Sequence, residues 1–379
     1  MKNSSSRQRI LVVDDTPSNI SILGETLSGS YEIVVATSGV DAIATASSCP
    51  PPDLILLDIM MPGMDGYQVC AHLKESALTR HIPVIFVTAK DEVADEAKGF
   101  ALGAVDYITK PISTAIVQAR VATHLALYDQ NRSLEEKVRR RTRELANTQD
   151  VTIRSLAILA EYRDNETGGH IIRTQHYVRI LAEALQDHPR FVALLGEEEY
   201  IDLLFKSTPL HDIGKVAIRD EILLKPGRLT TEEFEEMKRH TLYGRDALLK
   251  AEESLEEPIT PSFLSMAREM AYSHHEKHDG SGYPQGIAGD AIPVPGRLMA
   301  VADVYDALVS KRIYKPPFSH RKAYRIITEG DGRVEPAHFD PDVLAAFRNR
   351  AEQFRKLASQ FADSEEERQA LFVDEESGA

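Results

Sequence analysis

Histidine and carboxylate side chains between residues 166 and 303 have the types and spacing of metal ligands. Of the thirteen histidines, eight fall between residues 170 and 278. His211 and Asp212 are adjacent, and because neighbouring helical residues point about 100° apart, both can face one ion only where a helix ends. Gly214 is a suitable terminator. Asp303 interrupts an apolar helix face, where an unpaired carboxylate is costly. Metal ligation explains both the adjacent His211 and Asp212 and the position of Asp303.

Six of these groups suffice for a centre with two metal ions. They are His211, Asp212, His240, His274, His275 and Asp303. Two ions about 3.5–4 Å apart generate a hydroxide nucleophile and hold a phosphoryl oxygen, the usual arrangement for phosphoester hydrolysis. Upstream, Glu166 and His170 are four residues apart and could extend the cluster, unless Glu166 pairs with Arg163 or Arg173 instead. Imidazole and carboxylate ligands without thiolate favour Fe, Mn, Ni or Co over structural zinc.

A second set of polar residues follows short apolar runs in the first third of the chain. Asp14, Asp15, Asp58, Thr88 and Lys110 each stand at the end of such a run. If the runs are parallel strands, their carboxyl ends form one crevice, where the side chains converge. Three carboxylates can hold Mg²⁺, and Asp58 can then attack a phosphoryl group while the ion and Lys110 neutralise its charge. The Thr88 hydroxyl can bond a phosphoryl oxygen.

Hydrophobic periodicity indicates the elements that position these two sets. Residues 8–125 alternate β-branched runs with helical periods five times, which predicts an α/β doubly wound domain with a five-stranded parallel sheet. Residues 150–350 carry helical periods almost throughout, which predicts an all-α domain. The acidic stretch 360–379 has few apolar residues, and we expect a frayed helix or a disordered tail.

The segment between the two domains, residues 126–155, contains no Pro or Gly and is rich in charge. Leu127, Leu134, Val138 and Leu145 recur near heptad spacing, which predicts a helical linker able to form a coiled coil. Its arginines could form an anion site, but nearby acidic residues nearly balance them. A solvated or dimer-forming helix is therefore the favoured interpretation.

Charge and cysteine content exclude several classes of protein. The 44 Lys and Arg residues against 59 Asp and Glu give a net charge of −15, which disfavours nucleic acid and anionic lipid as partners. No apolar run approaches the roughly 18 residues of a membrane helix, and the amino terminus lacks the apolar region of a signal peptide, so we expect a cytoplasmic protein. Cys49 and Cys70 form neither a disulfide framework nor a CxxC motif.

The motifs of residues 8–125 resemble a bacterial response-regulator receiver domain. The matching segments are VVDD, LLDIMMPGMDG, VTA and DYITKP. The resemblance implies that Asp58 accepts a phosphoryl group from a cognate histidine kinase and that Lys110 is the loop lysine. It also implies that Thr88 and Tyr107 act as the switch pair.

The motifs of residues 150–350 resemble an HD-GYP domain, the metal-dependent subgroup of the HD phosphohydrolases. The matching segments are RDNETGGH, HDIGK, KRHTLYG, HHEKHDGSGYP and ADVYDAL. Members of that family hydrolyse cyclic di-GMP to linear pGpG, and some continue to GMP. The resemblance implies two or three metal ions with Asp212 as the bridging ligand. The implied ligands are Glu166, His170, His211, Asp212, His240, His274, His275 and Asp303.

The same resemblance implies contacts with the substrate. Lys215 would touch the scissile phosphate or assist the leaving group, and Tyr283 would line the guanine or ribose pocket. Arg312 and Lys315 would hold phosphate, which supplies the local basic cluster that an anionic substrate needs on an acidic protein.

The expected protein is a homodimeric two-component output enzyme in which phosphorylation of Asp58 regulates cyclic di-GMP hydrolysis. Two alternatives stay open. The substrate could be another cyclic dinucleotide such as a cyclic GMP-AMP, or the second domain could be an inactive nucleotide sensor or scaffold, against which the full set of eight ligands argues. Five isolated histidines are expected at the surface or in loops. They are His72, His81, His124, His320 and His338.

Overall fold

The chain divides into two compact units, residues 1–143 and 144–379. The structure, a computed structural model, describes residues 7–89, 93–161, 163, 168–254, 261–311 and 316–373. Three expected site residues, Glu166, Arg312 and Lys315, lie outside the described residues. None of the helices within those ranges combines the length and apolarity needed to cross a membrane.

The first unit is a five-stranded parallel sheet with helices on both faces, which confirms the predicted doubly wound fold. Its elements are β1 (Arg9–Val13), α1 (Pro17–Leu27), β2 (Glu32–Ala36), α2 (Gly39–Ala46), β3 (Leu54–Asp58), α3 (Gly66–Glu75), β4 (Val84–Ala89), α4 (Val93–Ala101) and β5 (Asp106–Lys110). The strand order is β2-β1-β3-β4-β5. The chain then enters α5 (Thr114–Glu161), a single helix that contains the predicted linker, residues 126–155, and the boundary between the units.

The apolar strands of the first unit fill two cores, one on each face of the sheet. Along β1, Ile10 and Val12 pack on one face, while Leu11 and Val13 pack on the other. Because both faces are covered, these strands are continuous apolar runs rather than alternating ones. Val13 of β1 is in register with Leu57 of β3, so the residues that follow them meet at one edge of the sheet.

The described residues of the second unit form helices joined by turns and loops, with no strand among them, which confirms the predicted all-α domain. After α5 come α6 (Gly168–Ala184), α7 (Val192–Leu195), α8 (Glu198–Ser207), α9 (Asp220–Leu223), α10 (Thr231–Lys238), α11 (His240–Glu253), α12 (Phe263–Ser273), α13 (Val294–Val309), α14 (His320–Glu329), α15 (Pro341–Gln360) and α16 (Glu365–Ala370). The hydrophobic cluster that contains Tyr177, Tyr305, Phe347 and Phe354 is the main core of this unit. In it, Tyr177 stacks on Phe354 with ring centroids 4.4 Å apart.

The acidic carboxyl-terminal stretch is more ordered than its composition suggested. Helix α15 extends to Gln360, and α16 follows. Glu367 is buried and accepts hydrogen bonds from the backbone N–H groups of Lys311 at 2.7 Å and Asp363 at 2.9 Å, and Leu371 joins the main core. Backbone donors and one apolar anchor therefore hold the stretch through residue 371, whereas residues 374–379 lie outside the described residues.

Candidate metal centre and phosphoacceptor pocket

Carboxylates from two strand ends and a lysine form a polar pocket at the edge of the sheet in the first unit. Asp14 and Asp58 are buried and Asp15 is exposed, and ligand oxygens of all three lie within 4.8 Å of one another. The Nζ atom of Lys110 lies 3.2 Å from Oδ2 of Asp14 and 3.0 Å from Oδ2 of Asp58. The structure thus brings together the residues that the sequence proposed for Mg²⁺ and phosphoryl transfer.

The charges in this pocket shift one another's pKa. Burial raises the pKa of the Asp58 carboxyl, and the Asp14 charge adds to the rise although Lys110 opposes it. Burial alone would lower the pKa of Lys110, but its bonds to Asp58 and Asp14 outweigh burial and raise it. A pocket with more negative than positive charge favours a bound cation.

Thr88 and Tyr107 lie on neighbouring strands of the first unit. Thr88 of β4 is in register with Thr109, and Phe86 is in register with Tyr107 of β5. Since side chains two residues apart share a face, Thr88 and Tyr107 point to the same side of the sheet. The ring of Tyr107 meets Phe100 edge-on, with centroids 6.2 Å apart.

Asp212 lies at the middle of the ligand cluster in the second unit. Its Oδ1 atom is 3.2 Å from Nε2 of His240 and 3.4 Å from Nε2 of His274, and its Oδ2 atom is 3.3 Å from Nε2 of His211. The ammonium of Lys215 lies 2.8 Å from the same Oδ2 atom. A carboxylate with both oxygens facing imidazole nitrogens is placed as a bridging ligand would be.

Seven of the eight residues expected as ligands fall into two groups whose ligand atoms lie within 4.8 Å of one another. One group is Asp212, His240, His274 and His275, and the other is His170, His211 and Asp303. The eighth residue, Glu166, lies outside the described residues. Arg163 and Arg173, its alternative partners, bind Asp220 and Asp306 respectively.

The imidazole rings of this centre are oriented by hydrogen bonds at Nδ1. In His211, His240 and His274 the Nδ1 atom lies 2.7–3.1 Å from a backbone carbonyl oxygen three or four residues earlier. Nδ1 therefore carries the proton, which leaves the Nε2 lone pair facing Asp212. In His170 the Nδ1 atom lies 2.8 Å from Oδ2 of Asp306 instead.

Within the group formed by Asp212, His240, His274 and His275, three side-chain atoms are buried without a hydrogen bond in the described part of the chain. They are Oδ1 of Asp212, Nε2 of His240 and Nε2 of His274. These atoms are close to one another but lack hydrogen-bond geometry, and a buried polar atom left this way is costly. Burial keeps the pKa of His274 low, whereas Lys215 and His211 outweigh burial and hold the pKa of Asp212 well below its usual range. Neutral imidazole and ionised carboxylate are the forms that bind metal, so these residues fit a divalent ion.

Gly214 brings Asp212 to His240 by close packing. His211 and Asp212 lie between two short 3₁₀ turns, Thr208–Leu210 and Ile213–Ala217, so Gly214 does not end a helix as the sequence suggested. A Cβ atom on Gly214 would lie 1.9 Å from the carbonyl oxygen of His240. Only glycine allows the second turn to approach α11 this closely.

Tyr283 flanks the metal-ligand group. Its ring lies 4.7 Å from that of His275, and burial together with the charges of Asp212 and Asp303 raises its pKa. The preceding residue, Gly282, sits where a Cβ atom would be 2.3 Å from the backbone nitrogen of Lys277. The Gly-Tyr-Pro segment is therefore folded tightly onto the segment that carries the paired histidines.

The sequence reasoning missed Glu161 and Asp306 at the centre, and it considered Arg173 only as a partner of Glu166. Glu161 is buried at the end of α5, with Oε1 3.8 Å from Nε2 of His170. Asp306 and Arg173 are buried and paired, and Arg173, against the effect of burial, holds the pKa of Asp306 far below its usual range. The sequence contained an indication of Asp306 and Arg173. Asp306 stands three residues after Asp303, and Arg173 three residues after His170, so each lies on the same helix face as an expected ligand.

Comparison with known proteins places both units in described families. A family model described as "Response regulator receiver domain" matches residues 10–122, and one described as "HD domain" matches residues 194–343. A Vibrio cholerae serotype O1 protein named "Probable cyclic di-GMP phosphodiesterase" is 49% identical over 363 residues, which cover 94% of this chain and 80% of the relative.

Two further relatives differ in their named substrate. The "Cyclic di-GMP phosphodiesterase response regulator RpfG" of Xanthomonas campestris pv. campestris is 34% identical over 363 residues, covering 93% of this chain and 90% of the relative. The "3'3'-cGAMP-specific phosphodiesterase 2" of Vibrio cholerae is 36% identical over 220 residues, covering 58% of this chain and 38% of the relative.

Proposed function

Because the chain belongs to the family of response regulators that join a receiver domain to an HD domain, we propose that it hydrolyses cyclic di-GMP to linear pGpG. The observation that carries the proposal is the buried Asp212 carboxylate, whose two oxygens face the Nε2 atoms of three histidines. Phosphorylation of Asp58 would regulate this activity. The same family membership makes the second unit a metal-dependent hydrolase domain.

The residues of the second unit would hold two or three divalent transition-metal ions, with Fe, Mn, Ni or Co as the candidates. His240, His274 and His275 would hold one ion and His170, His211 and Asp303 another, with Asp212 shared between them. Glu166 would serve a third. When bound, the ions supply a hydroxide nucleophile and neutralise the phosphoryl oxygens.

Other side chains would bind and orient the substrate. Lys215, with its ammonium 2.8 Å from Asp212, would place positive charge beside the scissile phosphate or assist the leaving group. Tyr283 would line the guanine or ribose pocket next to His275. Arg312 and Lys315 would hold phosphate, as the resemblance implies.

Cyclic di-GMP is favoured over a cyclic GMP-AMP as the substrate. The Vibrio cholerae and Xanthomonas campestris relatives described above, which are named for cyclic di-GMP, align with both units of this chain, whereas the relative named for cGAMP aligns with 58% of the chain. The inactive sensor is disfavoured because seven expected ligands converge in the described residues.

The receiver pocket would take a phosphoryl group from a cognate histidine kinase. Asp14, Asp15 and Asp58 would hold Mg²⁺, and Lys110 would neutralise charge on the acceptor and the phosphoryl oxygens. Thr88 and Tyr107, on one face of the sheet, would act as the switch pair. The two cysteines are unpaired, which suits the reducing cytoplasm where we place the protein.

Helix α5 would join two copies of the chain. Leu127, Leu134, Val138 and Leu145 are between 49% and 71% exposed, at spacings of seven and four residues. A stripe of this kind pairs with an identical stripe in a coiled coil. We therefore propose a homodimer, while the net charge of −15 argues against nucleic acid as a partner.

The decisive experiment is product chromatography on full-length protein purified without oxygen and analysed for metal. We expect turnover of cyclic di-GMP to pGpG, slower turnover of 3'3'-cGAMP, and two or three metal ions per chain. The chromatogram also reports whether GMP follows. Equal turnover of both substrates would overturn the substrate assignment, and metal binding without turnover would support the inactive sensor.

A further inference from the structure

A buried ion pair between Arg173 and Asp306 contacts the Nδ1 atom of the His170 imidazole. The guanidinium of Arg173 donates from Nε to Oδ1 of Asp306 at 2.7 Å and from Nη2 to Oδ2 at 2.9 Å. The Nδ1 atom of His170 shares that Oδ2 atom at 2.8 Å. His170 and Arg173 are three residues apart on α6, so one helix face presents both to Asp306 on α13.

The same arginine also binds the carboxyl-terminal part of the chain. Its Nη1 atom donates to the carbonyl oxygen of Phe361 at 2.9 Å and to Oδ2 of Asp363 at 2.7 Å. We call residues 361–371 the C-terminal clamp. A series of hydrogen bonds therefore runs from the C-terminal clamp through Arg173 and Asp306 to His170. Each donor–acceptor distance in the series is that of a charge-assisted or ordinary hydrogen bond.

The C-terminal clamp is itself anchored beside the substrate-binding segment expected from the sequence. Glu367 of the clamp accepts from the backbone N–H of Lys311 at 2.7 Å, and Lys311 immediately precedes Arg312. Glu366 adds an ion pair to the Lys311 ammonium at 2.6 Å. The clamp thus contacts both Arg173, which supports the partner of His170, and Lys311.

His170 differs from the other oriented histidines in the kind of partner at Nδ1. His211, His240 and His274 contact backbone carbonyl oxygens, whereas His170 contacts a carboxylate. A carboxylate partner fixes the tautomer and makes the imidazole a stronger metal ligand. Since a buried ion pair is often no more stabilising than an apolar replacement, stability alone does not account for this one.

We propose that Asp306 and Arg173 are positioning residues for His170 and that the C-terminal clamp completes them, so that metal affinity of the His170, His211 and Asp303 group depends on the end of the chain. The inference rests on the proposed metal centre. It extends the centre to residues that do not themselves face the ions.

The test compares metal dissociation constants of full-length variants by chelator competition, with elemental analysis after dialysis. Asp306→Asn should weaken one class of site by about 10–100-fold, while the Asp212, His240, His274 and His275 group keeps its metal. Asp363→Asn should weaken the same class by a smaller factor, because it loosens Arg173 without touching His170. Arg179→Gln is the matched control, since Arg179 lies on α6 and pairs with Asp202 away from this network.

Thermal unfolding separates positioning from stability. If Asp306→Asn does not fold, Asp363→Asn decides, because the Asp363 carboxylate is 24% exposed and its loss leaves the Asp306 pair intact. Weaker metal binding in a variant that unfolds at the wild-type temperature supports the proposal. Wild-type metal affinity in both variants overturns it. Cyclic di-GMP turnover is measured separately, so a wild-type protein without that activity would contradict the proposed function and leave the metal test valid.

Discussion

The Nε2 atom of His240 lies 3.2 Å from Oδ1 of Asp212, yet both atoms are buried and neither makes a hydrogen bond within the described residues. The Nδ1 atom of His240 is hydrogen-bonded to a backbone carbonyl oxygen. The ring therefore cannot turn to give Nε2 a hydrogen bond without losing the one at Nδ1. A cation bound by the two atoms would satisfy both. We therefore expect the centre to depend on Asp212 more than on its other residues.

We predict that Asp212→Ala abolishes cyclic di-GMP hydrolysis and depletes bound metal. The carboxylate faces both ligand groups, and no neighbouring side chain can replace its two oxygens. Turnover and metal stoichiometry of the purified variant provide the measurement. Asp202→Ala, an exposed acid in the same unit, serves as the control. Wild-type turnover by Asp212→Ala would contradict the two-metal assignment.

A second prediction concerns regulation. Asp58→Asn should abolish the response of hydrolysis to acetyl phosphate or beryllofluoride but leave the transition-metal content of the second unit unchanged, since the two pockets belong to separate cores. Basal turnover with and without phosphodonor is the measurement, and Asp129→Asn, on an exposed residue of the first unit, is the control. A response that persists in Asp58→Asn would mean that another residue accepts the phosphoryl group.

The sequence predicted the elements and most of the site because both follow from local patterns. Apolar runs that end in Asp14 and Asp58 specify strands of a covered sheet, and parallel strands must bring those ends together. Histidines and acids that interrupt helical periods likewise identify the cluster around Asp212. These inferences need only spacing and the chemistry of the side chains.

The missed features depend on contacts between distant segments. Arg173 and Asp306 are 133 residues apart in sequence, and their pairing is visible only when α6 packs on α13. The close approach of Gly214 to His240, and the burial of Glu367 in an acidic stretch, arise in the same way. His320, expected at the surface or in a loop, instead lies with Nδ1 2.8 Å from the hydroxyl of Tyr305.

We predict that Glu166→Ala loses about one metal ion per chain and slows hydrolysis, whereas the ions held through His211 and Asp212 remain. The alternative partners of Glu166 are already engaged, because Arg163 binds Asp220 and Arg173 binds Asp306. Elemental analysis of the variant beside wild type is the measurement. Full retention of metal, with activity falling only as stability falls, would refute Glu166 as a ligand.

The final prediction is that His320 makes the second unit less stable as the pH falls. Burial, reinforced by the charge of Arg355, lowers the pKa of His320 to about 4 in the folded protein, against about 6.5 in an unfolded chain. Between these values the unfolded state binds the additional proton, so the free energy of unfolding decreases as the pH falls from about 6.5 to about 4. Because the His320 side chain is only partly buried, we expect a loss of about 1–2 kcal/mol rather than the full linkage value.

Urea unfolding of metal-free protein at pH 7 and pH 4.5, followed by far-ultraviolet circular dichroism, measures this loss, since the chain has no tryptophan to report by fluorescence. His320→Gln removes the titrating group but retains an oxygen that can accept from the Tyr305 hydroxyl. Its free energy of unfolding should therefore fall less between the two pH values than that of wild type. The other histidines are the same in both proteins, so their contributions cancel in the difference. Identical losses in wild type and variant would mean that His320 does not couple protonation to folding.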